Sequence, residues 1–460
     1  MKRLFIFLFA SSIFFFACTS TNKNLQNQKK ECPQKEFDED VKQIVKKMTI
    51  RQKIGQLFLV NFRYCAISEA TKYFNKVSDF ETSSGKIVKV VPLDSVNKTV
   101  ESSIKNYHFG NIILFGENFI SIDNSIKFIS DLQTIAIQNN DLPLIISIDQ
   151  EGGRVNRIYQ TAIFPSAKKI GNTNNLELAF LEGKYLGQQL SSIGINLNFA
   201  PVCDVNSNPK NPIIGDRSFS SNPNKAGEFA TEVFKGMESE NIIACAKHFP
   251  GHGDTTVDSH IGLPTIKKSK KQWDNLESIP FKKIINSGIP VIMSAHIQYP
   301  ELDNSKIHAK KTGKQIIRPA TLSKTILTNI LRHELNFNGV ICTDALDMKA
   351  ITKNFTESQA IIEAINAGAD LICNPFSIIQ QADLEKIESI YIDIENAIKN
   401  KSLPIERLNN AVCRIVQLKK DYNILQTKNK PVTKQAIAES KKILNSPVYR
   451  QFANKIKTSY

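Results

Sequence analysis

Eight short apolar runs, separated by segments of helical periodicity, leave this chain very few folds. The runs lie at 55–60, 111–115, 144–148, 195–199, 242–246, 290–294, 339–343 and 369–373. Most are apolar along nearly all of their length instead of alternating with polar residues. Strands of a parallel sheet, covered on both faces, have that pattern. Helical segments are predicted between them at 125–139, 175–192, 226–239, 273–286, 321–331 and 356–367. A first helix at 37–48 precedes Thr49, which caps a second, short one. Eight strand–helix units over roughly 350 residues predict an α/β chain folded as a (β/α)8 TIM-type barrel. A closing helix is expected at 403–425 and one more at 434–444.

In such a barrel the C-terminal strand ends converge on one mouth, where active sites form. After the inner strands come Asp149-Gln150-Glu151-Gly152-Gly153-Arg154, then Pro201 and Asp204, Lys247-His248, His296, Asp344 and Asn374. Their convergence predicts a single site. Two stretches interrupt the alternation. Residues 63–104 replace a short first link with some forty residues, and 299–318 form a lysine-rich excursion after the sixth strand. Loops this long are functional or disordered more often than not.

The densest chemistry runs from Lys247 to His260, with three histidines, two aspartates and a lysine in fourteen residues. It follows an apolar strand, and Phe249-Pro250-Gly251 and Gly253 force a loop. Asp258 and His260, two apart, can point the same way. An aspartate there can fix an imidazole tautomer and stabilise its charged form, and histidine is the natural proton carrier near neutral pH. The alternative is an exposed loop histidine. Asp344 ends the seventh strand, where a rigidly held carboxylate is suited to act as a nucleophile; Asp347 fits the role of helix cap better. Lys247 and His248 read as donors to ligand hydroxyls, with an internal pair from Lys247 to Asp149 or Asp204 equally open. Asp149, Arg157 and Arg217 supply the carboxylate and guanidinium groups a polyhydroxylated ligand needs. Glu151 and Arg154 read as a buried structural pair. His248 and His252 have the i, i+4 spacing of a zinc helix, but Pro250 and Gly251 forbid that helix. No metal and no cofactor is expected, and there is no G-x-G-x-x-G phosphate loop.

Composition matters mainly at the two ends. Met1-Lys2-Arg3, an apolar stretch to Ala17 and then Cys18 have the layout of a lipoprotein-type signal peptide over 1–18, with Cys18 as the lipidated residue. Residues 19–37 read as a tether, 38–425 as the barrel domain and 426–460 as a basic tail. The chain would then be exported and anchored to a membrane. Residues 424–460 hold eight Lys or Arg against one Glu, so nearly half of the net charge of +15 sits there. The barrel itself is only mildly basic, and no nucleic-acid motif occurs. Cys203, Cys245, Cys342 and Cys373 read as buried thiols, while Cys32 and Cys65 could pair.

Five stretches together resemble bacterial β-N-acetylglucosaminidases of glycoside hydrolase family 3. They are Ile148-Asp149-Gln150-Glu151-Gly152-Gly153-Arg154-Val155, Asn198-Phe199-Ala200-Pro201-Val202-Cys203-Asp204-Val205, Gly215-Asp216-Arg217-Ser218-Phe219, Lys247-His248-Phe249-Pro250-Gly251-His252-Gly253 and Thr343-Asp344-Ala345-Leu346-Asp347-Met348. The resemblance implies a single catalytic barrel domain and a retaining exo-hydrolase of terminal β-linked N-acetylglucosamine. Asp344 would be its nucleophile and His260, supported by Asp258, its acid/base. Asp149, Arg157, Arg217, Lys247 and His248 match positions that bind the terminal sugar. No stretch reads as the second domain that supplies a carboxylate acid/base in family β-glucosidases, which favours the histidine. Peptidoglycan fragments are the first expected substrate and chitin oligosaccharides the second. A family enzyme for glucose or xylose, and a lipoprotein that only binds wall glycans, are the alternatives.

Overall fold

The computed structural model describes residues 36–70, 76–82, 85–256, 259, 262–429 and 431–459. The signal peptide, Cys18, Cys32, Asp258 and His260 lie outside the described residues, as does the tether up to residue 35. Eight strands form one parallel barrel: β1 (Phe58–Asn61), β2 (Asn111–Leu114), β3 (Ile145–Ile148), β4 (Leu197–Asn198), β5 (Ile243–Phe249), β6 (Val291–Ser294), β7 (Val340–Cys342) and β8 (Ile372–Cys373). They pair in the order β7-β6-β5-β4-β3-β2-β1-β8. A single bridge between Cys342 and Leu371 joins β7 to the start of β8 and nearly closes the ring. All four residues of β2, β3 and β6 and all seven of β5 are buried, because helices cover the outside while side chains fill the inside.

Several boundaries differ from the sequence expectation, each for a local reason. Residues 55–57 are helical. Thr49 and Gln52 form a reciprocal capping box that starts the helix Ile50–Leu57, which runs directly into β1. The predicted helix at 273–286 is two, Lys270–Asp274 and Ser278–Asn286. Pro280 sits in the first turn of the second, the one place a ring without an N–H is tolerated. The helix expected from 321 starts at Thr325 instead. Thr321 is held elsewhere: its hydroxyl donates to Ala295 O at 2.9 Å and contacts His296 Nδ1 at 2.8 Å.

The two interruptions are ordered where described. The first carries a three-stranded antiparallel sheet, Tyr64–Ala66, Ser78–Glu81 and Ile87–Pro92, followed by the helix Lys98–Tyr107. The second is an antiparallel hairpin, Lys306–Ala309 with Lys314–Ile317. The basic C-terminal stretch holds two helices, Lys434–Leu444 and Pro447–Ser459, and the second was not expected. Both bury an apolar face against the barrel's outer helices, including Leu444, Tyr449, Phe452 and Ile456. Among the described residues Cys65 is a buried free thiol, and so are Cys203, Cys245, Cys342 and Cys373, as expected.

The seam between β7 and β8 depends on a buried carboxylate. Asp370 N and Leu371 N donate to Ile341 O at 2.7 and 3.0 Å, and Asp370 Oδ2 accepts from Ile341 N at 3.0 Å. Arg332, Arg407 (2.9 Å) and Arg414 (3.3 Å) surround the same carboxylate. Burial alone would raise its pKa, but the three guanidinium groups hold it below the usual aspartate range. Removing the carboxylate strands three cations in a low-dielectric site. Asp370→Ala should therefore lower unfolding free energy by about 3–5 kcal/mol in urea titrations. The depressed pKa means that this contribution is present above pH 3.8 and is lost as pH falls below it. A loss under about 1 kcal/mol, the surface-pair range, would show that the seam does not depend on it.

Candidate active site

The C-terminal strand ends enclose a cavity of about 480 Å³. Asp149, Arg157, Arg217, Lys247, His248 and Asp344, all singled out from the sequence, line it together. Ser259, between the two undescribed residues Asp258 and His260, lines it too.

The floor is built from β3 and β5. Lys247, at the end of β5 and only 2% exposed, places Nζ 2.7 Å from both Asp149 and Glu151. Arg217 grips the same Glu151 with two parallel bonds, Nε to Oε2 at 2.8 Å and Nη2 to Oε1 at 2.7 Å. Burial would raise the Glu151 pKa, but Arg217 and Lys247 hold it well below the carboxylate range. Burial likewise works against the Lys247 charge, and Asp149 and Glu151 more than restore it. The cluster is therefore ionised and internally paired, and its groups are fixed before any ligand arrives.

This arrangement corrects the expected pair of Glu151 with Arg154. Arg154 is exposed and pairs with Asp216 at 3.0 Å. Glu151 belongs instead to the site. The signal was present in the sequence: Asp149 and Glu151 are two apart on an extended segment and so can face the same side. Of the two partners open for Lys247, the structure places Asp149 against it, while Asp204 goes to His248.

Asp204 sets His248. Its Oδ2 lies 2.7 Å from His248 Nδ1, and its oxygens also accept from the backbone N–H groups of His248 (3.2 Å) and His252 (2.6 Å). A carboxylate acceptor requires Nδ1 to carry the proton, which leaves Nε2 of the neutral ring as an acceptor. The register of β5 against β6 shifts between Ala246 and Phe249, so Lys247 and His248 leave the regular ladder there.

The turn that follows is held from outside. The chain's one tryptophan, Trp273, donates Nε1–H to Pro250 O at 2.7 Å, and Tyr299 OH donates to Gly251 O at 3.2 Å. Gly253 is obligatory, because a Cβ there would sit 1.7 Å from Val205 O. His252 is buried, and burial followed by the neighbouring His248 pushes its pKa down to about 4. It is a structural hinge post: Nδ1 meets Thr255 Oγ1 at 2.9 Å and Nε2 meets Ser259 Oγ at 3.3 Å. Ser259 O in turn accepts from Ala350 N at 3.2 Å, in the segment just beyond β7.

Asp344 stands across the floor at the end of β7. Its N–H donates to Ser294 O at 3.1 Å, and Oδ1 accepts from Ala345 N at 2.8 Å. His296, buried, donates Nε2–H to Ala345 O at 2.9 Å, and its Nδ1 meets Thr321 Oγ1 at 2.8 Å, bracing the same turn. Arg157 stands on the wall with its guanidinium 5.9 Å from the Phe115 ring, and its buried Nε has no hydrogen-bond partner among the described residues. Arg63, Asp347, Lys349 and Asn374 complete the rim. None of the first three was singled out as a site residue, because each lies in a loop whose path the sequence does not fix. Among the described residues, no group of three or more His, Cys, Asp or Glu could hold a metal ion. Acceptors, donors and a half-buried carboxylate surround one polar cavity, as a polyhydroxylated ring would require.

Beneath this floor lies an unused acid. Gly152 and Gly153 turn with φ of +87° and +55°, and a Cβ at Gly152 would meet Pro165 O at 2.5 Å and Glu182 Oε1 at 3.5 Å. Glu182, on the helix Leu176–Ser191, is buried, and among the described residues Oε1 has no hydrogen-bond partner. Burial raises its pKa well above 4.5. The folded state then binds this proton more tightly than the unfolded one, so stability from Glu182 is present below pH 4.5 and is lost as pH rises. Glu182→Gln should raise Tm by about 2–4 °C near pH 7, with the gain shrinking toward pH 4.5. A gain that did not vary with pH would contradict a buried neutral carboxyl.

Known proteins resemble this chain over most of its length. The glycosyl hydrolase family 3 N terminal domain matches residues 49–418. Beta-hexosaminidase A of Pseudoalteromonas piscicida is 37% identical over 411 residues, 88% of this chain. The match covers 65% of that relative, so the chain spans less than two thirds of its length. Beta-hexosaminidase LpqI of Mycobacterium tuberculosis is 29% identical over 69% of this chain and 78% of its own. The structure of a glycoside hydrolase family 3 beta-N-acetylglucosaminidase from Paenibacillus superposes with a TM-score of 0.74 at 30% identity, over 89% of this chain and 68% of that one. An α/β fold with eight parallel barrel strands, this cavity and a domain match over most of its length define the chain as a member of glycosyl hydrolase family 3.

Proposed function

We propose that this protein is a retaining exo-β-N-acetylglucosaminidase that removes terminal non-reducing β-linked N-acetylglucosamine. The observation that carries the reading is the placement of Asp344 across one polar cavity from the internally paired Asp149–Lys247–Glu151–Arg217 floor. Asp149, Lys247, His248 and Arg157 hold the hydroxyl and acetamido groups of the terminal sugar, and Arg217 acts mainly by fixing Glu151. The names of the relatives support the sugar.

In the first step the Asp344 carboxylate attacks the anomeric carbon. The glycosidic C–O bond breaks, and His260, oriented by Asp258, delivers its proton to the leaving oxygen. A glycosyl-Asp344 ester results. In the second step the now neutral His260 takes a proton from water, and the oxygen of that water attacks the same carbon. The sugar leaves with retained configuration and Asp344 regains its charge. Ser259, which lies between Asp258 and His260 in the sequence, lines the same cavity and is held by His252 and Ala350.

The natural substrates in this reading are peptidoglycan fragments, with chitin oligosaccharides second. The chain is organised as a lipoprotein-type signal peptide over 1–18, a tether, the barrel domain from 38 and a basic C-terminal segment from 426. Export and lipidation at Cys18 would place the enzyme at a membrane surface facing such fragments. Cys18→Ala should then shift the protein from the membrane to the soluble fraction; a variant that stays with the membrane would remove the lipid anchor from this account.

The mechanism separates two variants. On 4-nitrophenyl β-N-acetylglucosaminide, Asp344→Ala should lower kcat at least about 10³-fold. His260→Ala should lower kcat/KM for a GlcNAc disaccharide by roughly 10²–10⁴-fold and that for the activated aryl glycoside far less, since only the poor leaving group needs the acid in the first step, while kcat falls on both because the second step loses its base. Equal losses of kcat/KM on both substrates would contradict the division of roles. Preference for the corresponding glucoside or xyloside would reassign the sugar.

A further inference from the structure

The two C-terminal helices lie beyond the family match, which ends at residue 418. They are packed where a tail has no need to be. The helix Pro447–Ser459 inserts Tyr449 and Phe452 against Phe164, with ring centroids 6.0 and 5.9 Å away and both pairs edge-on at 72°. Tyr185 closes the cluster at 5.3 Å from each. At the end of the other helix, Leu444 O accepts from Thr161 Oγ1 at 2.8 Å, and Thr161 Oγ1 accepts from Gln189 Nε2 at 2.7 Å.

Both clamped residues belong to the loop that follows β3. Phe164 does more than pack: its carbonyl accepts from Gly153 N at 2.8 Å. The Gly152–Gly153 turn lies directly on Phe164, Pro165 and Ser166, too close for a Cβ at either glycine. That turn immediately follows Glu151, which holds Arg217 and Lys247. Arg157 lies four residues before Thr161 in the same loop. Within the loop, Gln150 Oε1 accepts from Arg157 N at 2.7 Å, and the Gln150 amide meets Asn156 Oδ1.

We propose that the C-terminal helix pair is a positioning element of the active site. Through Phe164 and Thr161 it fixes the loop that carries Glu151 and Arg157, and so sets the grip on the terminal sugar. The helices act through this loop. The proposal rests on the reading of the cavity as a sugar site. It assigns a role in substrate binding to a segment outside the family domain.

The experiment uses the chain with Tyr449→Ala/Phe452→Ala, beside Thr161→Val and its conservative counterpart Thr161→Ser. Two readouts are taken well below the melting temperature. Hydrogen exchange of peptides covering 150–166 should accelerate about tenfold in the double variant, while those covering β5 stay protected. KM for 4-nitrophenyl β-N-acetylglucosaminide should rise about tenfold with kcat changed less than about threefold, because the loss is in uniform binding. Thr161→Val should shift both in the same direction, and Thr161→Ser should restore them. Unchanged loop exchange, or unchanged KM with only a lower Tm, would overturn the proposal. If the double variant fails to fold, the Thr161 pair decides alone. If the wild-type chain hydrolyses no such glycoside, the sugar reading fails, and the exchange measurement still decides whether the helices hold the loop.

Discussion

Glu151 is shared by two cations, and the rest of the site is arranged around that fact. A lone carboxylate at 6% side-chain exposure would be neutral, and a lone lysine at 2% would be neutral too. Together with Arg217 and Asp149 they form a network in which each charge justifies the next. Such a cluster contributes little to stability beyond what an apolar core would supply. Its value is fixed geometry: Asp149, Lys247 and Arg217 are already desolvated and aimed when a sugar enters. The cost of ordering them is met during folding, which leaves more of the binding energy for the proposed reaction.

Fixing this cluster requires rigid backbone on every side, and the fold supplies it in layers. The barrel ends present the groups. Asp204 receives three N–H groups from the Lys247–His252 turn, and Trp273 and Tyr299 hold that turn from outside. The Gly152–Gly153 turn has no room for side chains because it rests on Phe164, Pro165 and Ser166, and the last helix packs on Phe164 in turn. At the opposite end of the barrel, Asp370 gathers three arginines at the seam. The recurring device is one buried carboxylate that organises several donors, used at Glu151, Asp204 and Asp370 for three separate tasks.

The barrel was legible because both of its periodicities are local. The eight apolar runs and the helical segments between them follow from side-chain spacing alone, and strand ends can be read once strands are placed. Six of the eight residues singled out for the site converge on one cavity for that reason; Asp258 and His260 lie outside the described residues. What could not be read depends on contacts between distant segments. Glu151 meets Arg217 across 66 residues, and nothing near Glu151 distinguishes that partner from the adjacent Arg154. Arg63, Asp347 and Lys349 reach the rim through loop paths set by tertiary packing. The tail's charge marked it only as basic, although its helix at 434–444 was legible. Its apolar residues at 437, 444, 449, 452 and 456 are buried and make it part of the body.

The account turns on Asp344 as the carbon-bonded nucleophile of the proposed reaction. The most direct test is to trap that bond with a 5-fluoro β-N-acetylglucosaminyl fluoride, whose glycosyl-enzyme is slow to hydrolyse. The digested protein is then sequenced by mass spectrometry. The account predicts one added sugar per chain, on Asp344 and on no other residue, with activity lost in proportion to labelling. A label on Asp149, Glu151 or Asp347, or turnover of the reagent with no covalent species from an enzyme that retains configuration, would contradict it.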